Sequence, residues 1–505
     1  MLYKPKNNNK KQIPATLLSP FLIQYPTQPN PIPNHPITIP MKKLSLILLF
    51  AALMTAATTK AAPSLNSIPT AKATILLDFD GHDVSSSMWN YGTPFSCLPA
   101  VMTDAQITEA FNRVAEDFRP FNINITTDLA KFLAAPLSQR VRIIITPTSA
   151  WYAGVAGIAY VTSFTWGDDT PAFVFSDRLL NDPKRVAEAI SHETGHTLGL
   201  YHQAAFDANC TLTSAYSTGV GTGITSWGPI MGNVASRNVT QWNHGATPNG
   251  CNFLQDNLSI ITTTNGFGYR IDDHADVLKS ATTISMTNNM FAANGIITTT
   301  TDRDFFKVTL GTTGTFRLNA IPYSVGADYS GANLDIMVTL MNSRGTVIRN
   351  YDFTDSLNAR IDTALQAGTY ILVVDGSSSI NSTNDYGSLG AYTLSGSFGT
   401  TTTVTTTPTT TTKGKRTAAN LGINAAGEET TATIFKVIKQ AQQPVIVNAT
   451  ESYDYMVVDN FGRIILNGKA AAGTKTIDIR NQPAGIYSLR LMNAKEQRTE
   501  KFMNR

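Results

Sequence analysis

One short segment constrains this chain more than any other part of the sequence. Residues 192–202 read His-Glu-Thr-Gly-His-Thr-Leu-Gly-Leu-Tyr-His and contain three of the seven histidines in the chain. On a helix, His192 and His196 are four residues apart and lie on one face. Gly199 tolerates the backbone angles that end a helix, so the chain can turn there and bring His202 beside the other two.

Three imidazoles in this arrangement are a ligand set for one Zn²⁺ ion, with the fourth position left open for water. Bound Zn²⁺ lowers the pKa of water from about 15.7 toward about 7. Glu193 follows the first histidine and can take the proton of that water and pass it to a leaving amine. The segment therefore predicts peptide hydrolysis with one catalytic Zn²⁺ and Glu193 as the general base. A surface helix that carries histidines by chance is the alternative.

The segment resembles the signature of the metzincins, HExxHxxGxxH followed by a methionine turn. Residues 227–232, Trp-Gly-Pro-Ile-Met-Gly, come about thirty residues after His202 and make Met231 the candidate for that turn. Asn233 stands where the best-known subgroups have a tyrosine, which leaves the subfamily open. The resemblance implies an α+β (α/β) metzincin-like catalytic domain with a mixed sheet and an active-site helix.

The flanking pattern agrees with such a domain. Residues 182–183, Asp-Pro, are an N-cap and a first helical residue for the histidine helix. Residues 74–79 and 141–146 read as buried strands, and 104–118 has the apolar spacing of a helix. Residues 155–164 are expected to form an edge strand that aligns an extended substrate, although an ordinary core strand explains them as well.

Two further segments resemble stretches that recur in secreted bacterial metzincins. They contain Asp78, Asp80, Glu116 and Asp117. Ca²⁺ prefers several carboxylate oxygens, so these acids are candidates for a calcium site. Carboxylates at a strand end and on a helix surface are the alternative interpretation.

The composition bounds the classes of function. Charged residues make up 15% of the 505, the net charge is +3, and no basic cluster indicates nucleic acid. No apolar run reaches the 18 or more residues of a transmembrane helix. Residues 41–62 have the charged, apolar and small-residue order of a secretory signal peptide. We therefore expect translation to start at Met41 and residues 1–40 to be a non-native or disordered extension.

Export allows disulfide bonds. Cys210 and Cys251 flank the expected methionine turn and could close a loop of about forty residues, which stabilises the fold by about 3 to 4 kcal/mol in the chain-entropy model. Cys97 is then left over, buried or free, although its pairing with one of the others stays open.

The catalytic domain is expected to span residues 63–275 and to be followed by two all-β sandwich-like domains. Residues 276–399 resemble the prepeptidase C-terminal domain, which implies an accessory module or a spacer. Residues 400–429 are Thr-rich and read as a linker. Residues 430–505 resemble the C-terminal sorting domain of the type IX secretion system, so that secretion machinery is an expected partner.

Together these features predict a monomeric zinc endopeptidase, secreted or associated with the cell surface, that acts on protein or peptide substrates and lacks a transmembrane segment in its mature form. A surface adhesin that keeps a zinc-stabilised metzincin fold without turnover is the second interpretation. The presence of Glu193 favours the enzyme.

Overall fold

The computed structural model describes residues 62–85, 88–382, 384–400, 434–438, 444–459, 464–482, 485–493 and 497–504. The predictions for the N-terminal extension, for nearly all of the signal peptide and for the Thr-rich linker lie outside the described residues. In the described part, no helix is both long enough and apolar enough to cross a membrane.

The first domain is built on a five-stranded mixed sheet with the order β4-β1-β5-β7-β6. The pairs of β1 with β4 and β5, and of β5 with β7, are parallel, whereas β6 runs antiparallel to β7 at the edge. A small hairpin of β2 and β3 follows β1. The strands are β1 Ala73–Asp78, β2 His82–Val84, β3 Phe95–Cys97, β4 Ile123–Thr126, β5 Arg140–Thr146, β6 Gly157–Ile158 and β7 Ala172–Phe175.

Four helices accompany the sheet, and both predicted long helices are confirmed. They are α1 Asp104–Asp117, α2 Leu129–Ala134, α3 Pro183–Thr197 and α4 Asn257–Thr264. Helices α1 and α3 pack against each other, and their apolar sides join the sheet in one core. This packing sets α3, which carries the first two histidines, rigidly against the sheet.

The predicted edge strand 155–164 is shorter than expected. Only Gly157–Ile158 pairs with β7, and the chain then turns, with Thr162 at a φ of 69°. The amide of Thr162 donates to the carbonyl of His196 at 3.0 Å instead of continuing a strand. The edge therefore offers a short length of backbone, placed directly beside the histidine helix.

Short strands form the region between α3 and α4. They pair as β8 with β9, β10 with β11 and β12 with β13. Their bounds are β8 Ala205–Phe206, β9 Leu212–Ser214, β10 Trp227–Pro229, β11 Val239–Gln241, β12 His244–Thr247 and β13 Gly250–Asp256.

The second domain consists of a five-stranded sheet, β14-β16-β21-β18-β19, and a four-stranded sheet, β15-β22-β17-β20. Strand β17 alternates buried and half-buried residues along its length, as expected for a strand with one face on a core. The strands are β14 Thr282–Thr283, β15 Met290–Ile297, β16 Asp304–Leu310, β17 Gly314–Pro322, β18 Ile336–Asn342, β19 Val347–Tyr351, β20 Ala359–Leu365, β21 Gly368–Gly376 and β22 Gly390–Thr400.

The C-terminal region has a three-stranded sheet, β23-β24-β27, and a four-stranded sheet, β26-β25-β28-β29. It has an apolar core of its own. Its strands are β23 Phe435–Ile438, β24 Val445–Ala449, β25 Tyr453–Asp459, β26 Ile464–Ala470, β27 Gly473–Ile477, β28 Gly485–Met492 and β29 Gln497–Asn504.

The first two domains share one apolar core. A single cluster of buried side chains contains Val114 of α1 and Ile190 of α3 together with Leu334 and Tyr392 of the second domain. Hydrogen bonds cross the same boundary, among them the amide of Ala391 donating to Glu116 Oε1 at 2.8 Å. The second domain is therefore packed against the helix layer of the first.

Candidate metal centre

Helix α3 is fixed at both ends by its own sequence. The side chain of Asp182 accepts a hydrogen bond from the amide of Arg185 at 2.9 Å, and Pro183 takes the first helical position. At the other end Gly199 adopts a φ of 104°, which favours glycine, and the amide of Leu200 donates to the carbonyl of Gly195. The predicted turn at Gly199 is confirmed, and it directs the chain back toward the helix.

The turn brings the three histidines together. His192, His196 and His202 each offer a ring nitrogen, and these atoms all lie within 4.8 Å of one another. Nε2 of His196 and Nε2 of His202 are 3.1 Å apart. Two nitrogens about 2.0 to 2.1 Å from a tetrahedral Zn²⁺ ion lie about 3.4 Å apart, so this pair needs almost no movement to bind one.

The outer nitrogens of two rings are held by backbone carbonyls. Nδ1 of His192 donates to the carbonyl of Ile230 at 2.9 Å, and Nδ1 of His196 donates to the carbonyl of Leu200 at 2.7 Å. Each bond leaves Nε2 as the acceptor, which is the tautomer that binds a metal. Burial lowers the pKa of His192 to about 4 and that of His202 to about 2, so the imidazoles stay neutral and available as ligands.

Met231 lies directly beneath the histidine helix and is fully buried. A Cβ at position 195 would lie 2.5 Å from Sδ of Met231 and 3.3 Å from Cζ3 of Trp242. Glycine at the fourth position of the motif is therefore what allows the methionine to pack there. The backbone of this turn also holds the site, because the carbonyl of Ile230, one residue earlier, accepts from His192.

Glu193 follows His192 on α3, and its side chain lies against the edge strand β6. A Cβ at Gly157 of β6 would be 2.7 Å from Cγ and 2.8 Å from Oε1 of Glu193. The side chain is 7% exposed, and its Oε2 has no hydrogen-bond partner among the described residues. Burial raises the pKa of the carboxyl to about 8. A buried carboxyl oxygen without a partner in the described part of the chain, on the residue that follows His192, fits a site that holds a cation and a water molecule.

Tyr216 is a site residue that sequence reasoning missed. Its ring lies 4.1 Å from that of His202 and 6.3 Å from that of His192, measured between centroids. Burial, with Glu193 nearby, raises the pKa of its phenol to about 12, so the hydroxyl stays protonated at neutral pH. No local pattern distinguishes this tyrosine in a Ser- and Thr-rich loop, so the sequence carried no signal for it.

The loop that carries Tyr216 and Met231 is closed by a disulfide. Cys210 and Cys251 are bonded, with their Cα atoms 5.6 Å apart, which confirms the predicted pair. Cys97 is buried and free, and burial raises the pKa of its thiol to about 12. The thiol is therefore unreactive at neutral pH.

The four acids considered for Ca²⁺ have other partners. Asp78 forms an ion pair with Arg142, Asp80 accepts from the amide of Ala62, Glu116 forms an ion pair with Arg119, and Asp117 accepts from Ser191 and Asn333.

Among the described residues the acids that converge are instead Asp272, Asp302 and Asp304. Asp302 and Asp304 are buried, and Oδ1 of each has no hydrogen-bond partner in the described part of the chain. Burial raises the pKa of Asp302 to about 6 and that of Asp304 to about 9. This group was not recognised from the sequence, because its members lie in two segments thirty residues apart.

The described C-terminal strands belong to a region that matches a known family. Residues 441–505 match the family model of the secretion system C-terminal sorting domain. This match defines an exported protein that uses the type IX secretion system, either secreted or associated with the cell surface. The expected localisation and the expected secretion partner are thereby confirmed.

Among the curated proteins, none matches this chain in sequence. The pre-peptidase C-terminal domain of a collagenase from Bacillus anthracis is a solved structure similar to part of it, with 13% identity, a TM-score of 0.18, and coverage of 23% of this chain and 93% of that domain. A β-glucuronidase from Faecalibacterium prausnitzii has 13% identity and a TM-score of 0.15, with 42% of this chain and 36% of the enzyme covered. The extracellular region of zebrafish Gpr126 has 7% identity and a TM-score of 0.17, with 44% and 31% covered.

Proposed function

We propose that this protein is an exported zinc endopeptidase of the metzincin type. The observation that carries the proposal is the convergence of His192, His196 and His202. Glu193 follows His192 in the chain, and its buried Oε2 has no hydrogen-bond partner among the described residues. The carbonyls that accept from His192 and His196 orient both rings for a metal, which a chance cluster of histidines on a surface helix would not require.

The three Nε2 atoms would hold the ion, and the donor set of neutral imidazoles suits Zn²⁺. When bound, Zn²⁺ supplies Lewis-acid chemistry, polarising a peptide carbonyl and making water more acidic. The nearby positive charge would also lower the pKa of Glu193 from about 8, so that the carboxylate forms at neutral pH.

The chain's own residues would then perform the proton transfers. Glu193 takes a proton from the attacking water through its unpartnered Oε2 and gives it to the departing amine nitrogen. The backbone of β6 pairs with an extended peptide and places its carbonyl beside Glu193, since Gly157 of that strand lies against the carboxyl. Tyr216, with its hydroxyl protonated, can donate a hydrogen bond to negative charge on the carbonyl oxygen.

Ca²⁺ remains part of the proposal. The carboxylates that fit it best within the described residues are those of Asp272, Asp302 and Asp304, because two buried oxygens there have no partner. The second domain, which we propose to be of the prepeptidase C-terminal type, would then need the ion for stability.

The proposal is tested by measuring the cleavage of casein by a protein of residues 63–400. This segment keeps the first two domains and their shared core together. Glu193→Gln should lower kcat by about 100-fold or more while Zn²⁺ stays bound, because the base is lost and the ligands are not. Glu109→Gln is the matched control and should cleave like the wild type, because Glu109 is a half-buried residue of α1 whose ion-pair partner is Arg113.

Removal of Zn²⁺ by a chelator should abolish cleavage, and its return should restore it. If the folded wild type binds zinc but cuts none of a broad set of proteins and peptides, the second interpretation, an adhesin that keeps a zinc-stabilised fold, replaces the enzyme.

A further inference from the structure

Residues of the second domain reach the immediate surroundings of the metal centre. Asn333 precedes β18 in the second domain and is 5% exposed. Its side-chain nitrogen donates to Oδ1 of Asp117, the last residue of α1, at 2.8 Å. The other oxygen of the same carboxyl, Oδ2, accepts from the hydroxyl of Ser191 at 2.5 Å. Ser191 is the residue before His192 on α3, so this path ends one peptide unit from a metal ligand.

A second chain of hydrogen bonds begins at the backbone of Asn333 and also leads to His192. The carbonyl of Asn333 accepts from the side-chain nitrogen of Gln241 at 2.5 Å. The backbone carbonyl of Gln241 accepts from the amide of Ile230 at 2.9 Å, and the carbonyl of Ile230 accepts from Nδ1 of His192 at 2.9 Å. One path therefore ends at the backbone next to His192, and the other ends at its imidazole ring.

The side-chain hydrogen bonds that join Asn333, Asp117, Ser191 and Gln241 are buried. Asp117, Ser191 and Gln241 are each at most 5% exposed. Trp242 adds another buried hydrogen bond to Asp117, because its indole nitrogen donates to the backbone carbonyl of that residue at 2.7 Å. Hydrogen bonds that water cannot replace hold their groups in one geometry, and breaking one leaves a buried polar atom without a partner.

We propose that Asn333 is a positioning residue for His192, so that the second domain completes the metal centre. The inference rests on the proposed function and assigns the second domain a role other than accessory binding or spacing. Loss of the Asn333 amide would free the Asp117 carboxyl, loosen its hold on Ser191 and let the ring of His192 move. Substitution of a residue that orients a metal ligand typically weakens metal binding by about 10 to 100-fold.

The test measures Zn²⁺ affinity in the metal-free full chain by competition with a coloured chelator. Asn333→Ala should raise the Kd for Zn²⁺ by about tenfold, the lower end of that range, since it acts through another residue. Ser191→Ala removes the hydroxyl at the other end of the path and should raise the Kd in the same way. It serves as a second variant should the first fail to fold. Asn381→Ala is the matched control.

Asn381 is also an asparagine of the second domain that donates to the first, at 3.1 Å to the carbonyl of Thr225, but it lies on neither path to His192. Its variant should keep the Kd within about twofold of the wild type. Co²⁺ in place of Zn²⁺ gives a second readout, because its visible spectrum reports the ligand geometry. The spectrum should change in Asn333→Ala and should stay the same in Asn381→Ala.

An unchanged Kd for Zn²⁺ in Asn333→Ala and Ser191→Ala would overturn the inference. An equal loss of zinc affinity in Asn381→Ala would also overturn it, because any weakening of the domain contact would then lower the affinity. Failure of the proposed function is a separate result, since it would show as a wild type that binds no Zn²⁺ or binds it without cleaving peptides.

Discussion

Gly195 and Met231 approach so closely that a single methyl group on the glycine would lie 2.5 Å from the methionine sulfur. Real Cβ atoms essentially never come within 3.0 Å of such a neighbour, so a larger residue at position 195 must displace the fully buried Met231 side chain. The turn that contains Met231 also carries the carbonyl that orients His192. Packing and metal geometry are thus coupled at this point.

Gly195→Ala is accordingly expected to destabilise the fold by about 1 to 3 kcal/mol through overpacking, and to weaken Zn²⁺ binding. Urea denaturation and chelator competition measure the two effects. Gly268→Ala, where nothing lies within 4 Å of the added methyl, is the control and should change neither. A stable Gly195→Ala with unchanged zinc affinity would contradict the assigned role of the contact.

Gly157→Ala addresses the general base. The added methyl would lie 2.7 Å from Cγ and 2.8 Å from Oε1 of Glu193 and would displace the carboxyl. A displacement of about 1 Å costs up to about 100-fold in rate, so kcat should fall by about 10 to 100-fold while zinc affinity is kept. Steady-state cleavage of casein checks this, with Gly311→Ala in open space as the control. Equal rates in the two variants would show that the contact with Gly157 does not set the catalytic position of the Glu193 carboxyl.

The histidines make the metal-free protein sensitive to acid. The folded-state pKa of His192 is about 4, whereas a histidine in an unfolded chain titrates near about 6.5. Between these values the unfolded state binds more protons, so the histidine contribution to stability is present above about pH 6.5 and is lost as the pH falls toward 4.

Glu193, whose pKa is raised to about 8, acts in the opposite direction, so the comparison must be made between variants. The double variant His192→Gln with His202→Gln should lose less stability between pH 7 and pH 5 than the metal-free wild type does. Urea denaturation at both pH values measures the difference. Parallel losses in the two proteins would contradict the assigned burial of the neutral imidazoles.

The acids of the second domain give a prediction about Ca²⁺. Millimolar Ca²⁺ should raise the melting temperature of the protein by several degrees, because the ion would bind the buried Oδ1 atoms of Asp302 and Asp304, which have no other partner among the described residues. Asp302→Asn should remove most of this shift, whereas Asp362→Asn, at a half-exposed strand position, should keep it. Calorimetry with and without a calcium chelator makes the comparison, and an equal shift in both variants would exclude this site.

The helices and the histidine cluster could be predicted because their causes are local. The cap at Asp182, the proline after it and the turn at Gly199 are encoded by neighbouring residues, and the spacing of His192 and His196 follows from the helix period. The Cys210–Cys251 bond was also within reach, since the two residues flank one loop and the chain is exported.

What escaped prediction depends on contacts between distant segments. Tyr216 reaches His202 only because the loop folds over the site, and no spacing encodes that. The edge strand stops at Ile158 because the amide of Thr162 binds a carbonyl of the histidine helix, a partner more than thirty residues away. Asp117, considered for calcium, is taken by Ser191 and Asn333, and Asn333 is more than two hundred residues distant from it.

The apolar core that runs without a break from α1 and α3 into the second domain limits the exchange of either domain between proteins. A domain that meets its neighbour only through a tether can be exchanged by recombination as a cassette. Here a recombination event between the two domains would separate Val114 from Leu334. The apolar side chains of each domain would then be exposed to water. The two domains therefore form one unit of folding.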